Sequence, residues 1–197
     1  MNVTGLRERK KEKTRETLVR TALRQFAKRG FDHVTVEEIA AACDVSPRTF
    51  FRYFASKEDV LFAESDARRE HLLASVAQQG REVSAFRAVE SAVHMVAAEY
   101  AEDHDLLRVR HRIVTSTPSL RTRAAERQQG WETDIVEQLR SSGRAKRMSD
   151  LDLRLLVAAT MTALRVAVES WIAADSAADL DALLDAALKR LRHGFDR

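Results

Sequence analysis

Apolar residues return every three or four positions along most of this chain, with polar residues between them, a pattern that predicts helices almost throughout. Residues 14–29 set Leu18, Val19, Ala22, Leu23, Phe26 and Ala27 on one stripe, with Arg and Lys opposite. Gly30 ends that helix, because glycine enters the left-handed C-cap conformation without a Cβ clash. A second helix begins at Thr35, where Thr35-Val36-Glu37-Glu38 reads as a capping box, and its apolar face is Val36, Ile39, Ala40 and Cys43. Asp44 and Val45 form a turn. Ser46 as N-cap and Pro47 at the first helical position then open a short aromatic helix running to about Phe54. Ser56, with Asp59 three residues on, caps a longer helix expected over 57–79. Five further amphipathic stretches predict helices near 83–102, 105–115, 119–140, 150–173 and 179–193. Gly130, inside one of them, marks a kink or close packing. The fold class is all-α.

Two short helices joined by a three-residue turn, the second entered through Ser-Pro, make a helix-turn-helix. Ala40 and Ala41 supply small side chains that let the pair approach closely. The chain therefore divides into a helix-turn-helix domain over residues 1–60 and a second helical domain over 61–197.

Composition agrees with this division and adds a partner. Hydrophobic residues are 45% and charged residues 32%, and 6 Gly with 2 Pro leave little to interrupt helices. The net charge of +3 conceals an asymmetry: residues 1–60 hold 13 Lys/Arg against 9 Asp/Glu, and the remainder holds 20 against 21. Within 7–29 the count is 10 basic against 3 acidic, which points to a polyanionic partner. On charge alone, a solvated basic helix explains it equally well.

Cys43 is the one cysteine, so no internal disulfide forms. No apolar run approaches the roughly 20 residues of a membrane span, and residues 1–13 lack the apolar core of a secretory leader. The expected location is the cytoplasm. No phosphate-binding glycine loop or nucleophile elbow is present. The histidines at 33, 71, 94, 104, 111 and 193 include no pair four apart. Asp103, His104, Asp105 and His111 are better explained as a charged helix junction than as a metal site. No cofactor and no enzymatic activity are expected.

The segment Thr14 to Phe62 resembles the TetR family of one-component regulators. The resemblance rests on Phe26-Ala27-Lys28-Arg29-Gly30-Phe31, on Thr35 to Ala40, on Val45 to Phe54 and on Ser56 to Val60. It implies that the third helix enters the DNA major groove, with Ser46, Pro47, Arg48, Thr49, Phe51, Arg52 and Tyr53 at or beside its contacts. Arg48 suits base readout, since a guanidinium fork matches guanine O6 and N7. Thr35, at a helix N-terminus with free amides, suits a backbone phosphate, and Tyr53 and Lys57 match family positions that touch phosphates. Phe50 and Phe54 are expected in the core. Phe51 departs from the family's frequent Tyr and loses a hydroxyl contact, though its ring can pack on sugar or a thymine methyl. Asp44 stands where the family usually has Gly.

By the same analogy residues 61–197 form a ligand-binding and dimerisation domain. Leu155, Leu156, Ala159, Ala163, Val166, Ser170 and Trp171 line one late helix, and Leu180, Leu183, Leu184, Ala187, Leu188 and Leu191 line the next. These stripes form either a dimer's four-helix bundle over 150–193 or plain intrachain core. Residues 106–131 resemble the acyl-CoA-like ligand-binding type. The expected ligand-facing residues are His94, Arg108, Arg112, Arg121, Arg123 and Trp131, with arginines meeting phosphates. His94 as core and the arginines as solvated surface are the alternatives. The resulting expectation is a repressor that binds a pseudo-palindromic operator as a homodimer and is released by a small hydrophobic effector. An architectural DNA-binding protein, or an enzyme with a DNA-binding head, are the competing classes.

Overall fold

The computed structural model describes residues 5–80, 82–102, 104–174 and 178–193. Among these there are nine α-helices, one 3-10 helix and no strand. The helices are α1 (Leu6–Arg29), α2 (Val36–Ala41), α3 (Pro47–Tyr53), α4 (Ala63–Gln78), α5 (Ala85–Glu102), α6 (His104–Ser116), α7 (Pro118–Ser141), α8 (Asp150–Ala173) and α9 (Leu180–His193). The 3-10 helix, Glu58–Phe62, lies between α3 and α4. The chain folds into two compact units, one of Met1–Asp66 with Asp105–Arg123, the other of Ala67–His104 with Ala124–Arg197.

In the first unit, Leu18, Val19, Ala22, Leu23 and Phe26 of α1 are buried with Ile39 and Ala40 of α2 and Phe50 of α3. Helix α1 begins at Leu6, eight residues before the expected start at residue 14. Arg9, Lys10, Lys11, Glu12 and Lys13 are exposed straight-chain residues that propagate a helix without a buried face, and Thr14 Oγ1 donates to the Lys10 carbonyl at 2.9 Å. Gly30 ends α1 with φ 87 and ψ 148, an extended positive-φ conformation and not the left-handed helical one. A Cβ there would meet His33 Nδ1 at 3.3 Å. Asp44 carries the turn between α2 and α3 with φ 54, the sole positive φ outside glycine among the described residues. Ala40 is fully buried, whereas Ala41 is exposed, so of the expected pair Ala40 lies in the core and Ala41 does not.

The expected helix over 57–79 is divided. Val60, Leu61 and Phe62 are consecutive and all buried, which a one-sided amphipathic helix does not permit, and the chain there takes the tighter 3-10 turn before α4. Two ion pairs also tie distant sequence into this unit: Arg110 Nη1 to Glu64 Oε2 at 3.3 Å, and Arg123 Nη2 to Asp59 Oδ1 at 2.5 Å.

In the second unit α8 packs on α9, and α5 packs on both. Ala88, Val89, Ala92, Val93 and Val96 of α5 meet Leu153, Val157, Met161, Leu164 and Val168 of α8 and Leu180, Leu184 and Leu188 of α9 in the buried core. The face of α8 turned into this core is not the stripe expected for dimerisation. Ala163 and Trp171 of that stripe are buried within the unit, while Leu155 and Val166 are exposed, along with Leu151. Both faces of α8 are apolar, so periodicity alone does not choose between them. Gly130 lies within unbroken α7, and no neighbour stands within 4 Å of the place its Cβ would take, so it marks no close packing.

Candidate nucleic-acid interface

Helix α3 is built to present side chains. The Ser46 hydroxyl accepts from the Thr49 amide at 3.1 Å and shares a hydrogen bond with the Thr49 hydroxyl at 3.0 Å, and Pro47 fills the first helical position. Phe50 is fully buried and stacks at a tilt on Phe54, centroids 5.4 Å apart, which fixes the helix to its own core. With that side anchored, Arg48 and Arg52, four residues apart, lie on one exposed face. The Arg48 side chain makes no hydrogen bond or ion pair among the described residues. The Arg52 guanidinium lies 5.2 Å from the centroid of the half-buried Tyr53 ring. Phe51 is 52% exposed and meets Phe50 edge-on, centroids 5.6 Å apart.

The elements behind this face are held by polar contacts. The Thr35 hydroxyl accepts from the Glu38 amide at 3.2 Å, and the Thr35 amide donates to Glu38 Oε2 at 2.9 Å, which completes the expected capping box. Two of the amides at this helix start, those of Thr35 and Glu38, are thus already engaged. Arg29 reaches Glu38 Oε1 at 2.8 Å and the His33 carbonyl at 2.8 Å, so the end of α1 is joined to α2. The Thr35 amide and then Arg29 hold the Glu38 carboxyl below its usual range. Because that value is lowered, the contact contributes stability above the ordinary carboxylate range and loses it as pH falls through the lowered value.

Lys57 is also engaged. Its Nζ donates to the carbonyls of Phe31 at 2.8 Å and Val34 at 2.9 Å, and lies 4.2 Å from the Phe31 ring centroid. Arg15 donates to the Ala63 carbonyl and sits over the Phe54 ring. The exposed basic residues of α1 include Arg9, Lys10, Lys11, Lys13, Arg20, Arg24 and Lys28, with Arg29 at its end.

The candidates for ligand contact fall in both units. Arg108, Arg112, Arg121 and Arg123 belong to the first, where Arg112 and Arg121 are exposed and Arg123 is paired with Asp59. His94 and Trp131 belong to the second. Trp131 is buried, and His94 faces two carboxylates of α9, with Nδ1 2.6 Å from Asp181 and Nε2 3.4 Å from Asp185. Among the described residues no cluster of His, Cys, Asp or Glu could hold a metal. His104 instead stands edge-on to Trp171, centroids 4.6 Å apart, and Asp103 lies outside the described residues. No helix of the described residues is long and apolar enough to cross a membrane.

Residues 18–63 match the family model for bacterial regulatory proteins of the tetR family, and residues 83–196 match the MftR C-terminal domain. The chain is 33% identical over 201 residues to the HTH-type transcriptional regulator TcmR of Streptomyces glaucescens, covering 97% of this chain and 88% of that one. It is 29% identical over 195 residues to the putative mycofactocin biosynthesis transcriptional regulator MftR of Mycobacterium tuberculosis, covering 96% and 94%. Among solved structures, the Thermus thermophilus repressor FadR in complex with lauroyl-CoA aligns with a TM-score of 0.60 at 27% identity, covering 93% of this chain and 95% of that one. The chain belongs to the TetR family of bacterial transcriptional regulators, and its C-terminal domain is of the MftR type.

Proposed function

We propose that this regulator, which is not an enzyme, is a ligand-responsive repressor that binds a pseudo-palindromic operator as a homodimer in the cytoplasm. The observation that carries the reading is the Arg48 and Arg52 pair, exposed on a helix whose start is fixed by Ser46 and Pro47 and whose other side is anchored by Phe50. Thr35, Ser46, Pro47, Arg48, Thr49, Phe51, Arg52 and Tyr53 form the DNA-facing set, with Lys57 behind it. Two-fold symmetry then spaces the half-sites about one helical turn apart, ~34–36 Å.

Arg48→Ala is the test. Measured by fluorescence anisotropy on a sequence selected from random duplexes, it is expected to weaken binding by roughly 1–3 kcal/mol and to relax base preference at one position per half-site. Equal losses on selected and random DNA would reduce Arg48 to a phosphate contact. Failure of the wild type to enrich any sequence would favour an architectural protein.

For the effector we infer a small hydrophobic molecule, with a long-chain acyl-CoA as the first candidate, since a structural relative carries lauroyl-CoA. Release requires that the ligand bind the two states of the protein unequally. Titrating the operator complex with acyl-CoAs of rising length should show release at lower concentrations, each buried methylene contributing at most about 0.8 kcal/mol. A response flat with chain length, or release by a compact uncharged drug alone, would remove the acyl-CoA assignment and leave the repressor standing.

A further inference from the structure

We infer that Phe51 is a specificity determinant that reads the C5-methyl group of a thymine in each half-site. The inference rests on the operator-binding reading above. Arg48 stands three residues before Phe51 and four before Arg52, so on the helix its side chain neighbours both, and all three residues are exposed. Exposing an aromatic ring to water is unfavourable, yet this ring is 52% exposed while its neighbour Phe50 is fully buried. It meets Phe50 edge-on, so one side of the ring rests on the core and the rest is left to solvent.

The guanidiniums of Arg48 and Arg52 decide what the ring meets. They draw the face onto a polyanion and, at the capped start of α3, toward base edges. A phenyl ring has no hydroxyl to give a phosphate, so it gains from DNA only by covering apolar surface. In the major groove the donor and acceptor pattern of the four base pairs includes a single apolar group, the thymine methyl. An apolar ring one helical turn from a guanidinium that suits guanine therefore favours a site in which thymine stands close to the base that Arg48 reads.

The test replaces thymines of the selected operator one at a time with deoxyuridine, which removes the methyl and leaves pairing intact, and measures binding by the full-length wild type and by Phe51→Ala. One thymine per half-site is expected to weaken the wild type about fourfold when its methyl is lost, the worth of one buried methyl. Phe51→Ala should bind the unmodified operator more weakly by at least that factor and be indifferent to the same change. Phe51→Leu should recover part of the sensitivity. Thermal midpoints of both variants should stay within about 5 °C of the wild type, since the edge-on contact with Phe50 contributes only about 0.5–1.5 kcal/mol, and binding is compared below both midpoints. Wild-type affinity indifferent to every thymine methyl, or Phe51→Ala as sensitive as the wild type, overturns the assignment and leaves operator binding intact. A loss in Phe51→Ala that is equal on selected and random DNA overturns it too, by making the ring a sugar contact. If no sequence is enriched at all, the operator reading falls first and this inference with it.

Discussion

Replacing Leu151 and Leu155 together with arginine is expected to yield a folded monomer that no longer holds its operator. The two side chains are 74% and 62% exposed on α8, four residues apart, and Val166 lies on the same helical face. The opposite face already fills the unit's core with Leu153, Val157, Met161, Leu164 and Val168. Arginine at 151 and 155 therefore costs one protomer no packing. In a two-fold interface each substitution occurs twice. Four leucines that each contribute about 1.5–3 kcal/mol on burial are lost, and four uncompensated cations must be excluded or paired. A loss of at least about 6 kcal/mol is more than 10⁴-fold in the dimer dissociation constant at about 1.4 kcal/mol per decade. Sedimentation at micromolar concentration should show a monomer with unchanged helix content by circular dichroism, and operator affinity should fall toward that of a single reading head. A variant that still sediments as a dimer would move the interface away from this face of α8.

Leu155 and Val166 on that face belong to the stripe that periodicity marks for dimerisation, Leu151 extends it, and the choice between the two apolar faces of α8 is a matter of packing. Signals within four or five residues were readable: the Thr35 and Ser46 caps, Pro47 at a helix start, Gly30 at a helix end and the turn at Asp44 all stand where local chemistry requires them. So did the burial of Phe50 and Phe54 beside the exposure of Arg48. What was not readable depends on which distant segment arrives. Helix α8 has two apolar faces, and only its packing on α5 and α9 selects the inner one. Arg123 looked like a phosphate anchor among several arginines, and nothing nearby announces that Asp59, 64 residues earlier, meets it at 2.5 Å. His94 gave no hint of Asp181 and Asp185 for the same reason. The 3-10 turn over Glu58–Phe62 could have been suspected from three consecutive apolar residues, Val60, Leu61 and Phe62, which no single helical stripe accommodates.

Lys57→Ala is expected to lower the melting temperature more than it changes the salt dependence of DNA binding. The family resemblance places this lysine on a phosphate, but its ammonium already donates to the Phe31 and Val34 carbonyls and lies against the Phe31 ring. Those two residues bracket the turn between α1 and α2, and both are buried. Truncation leaves two partly buried carbonyls without their donor and removes a cation from an aromatic face. Hydrogen bonds to a charged group contribute about 1.5–3 kcal/mol each, and two bonds from one ammonium overlap, so a net cost of about 2–3 kcal/mol is expected. For a chain of this length that is a fall of about 5–10 °C in the melting midpoint. An ammonium with two of its three protons directed at carbonyls has one left for DNA, so the slope of log affinity against log salt should move by less than the roughly one unit that a full phosphate contact contributes. Lys57→Arg should recover part of the stability, since a guanidinium can still donate to both carbonyls. A slope that drops by a full unit while the melting midpoint stays at the wild-type value would show that Lys57 works on the phosphate, and that its carbonyl contacts contribute little to holding α2 and α3 in place.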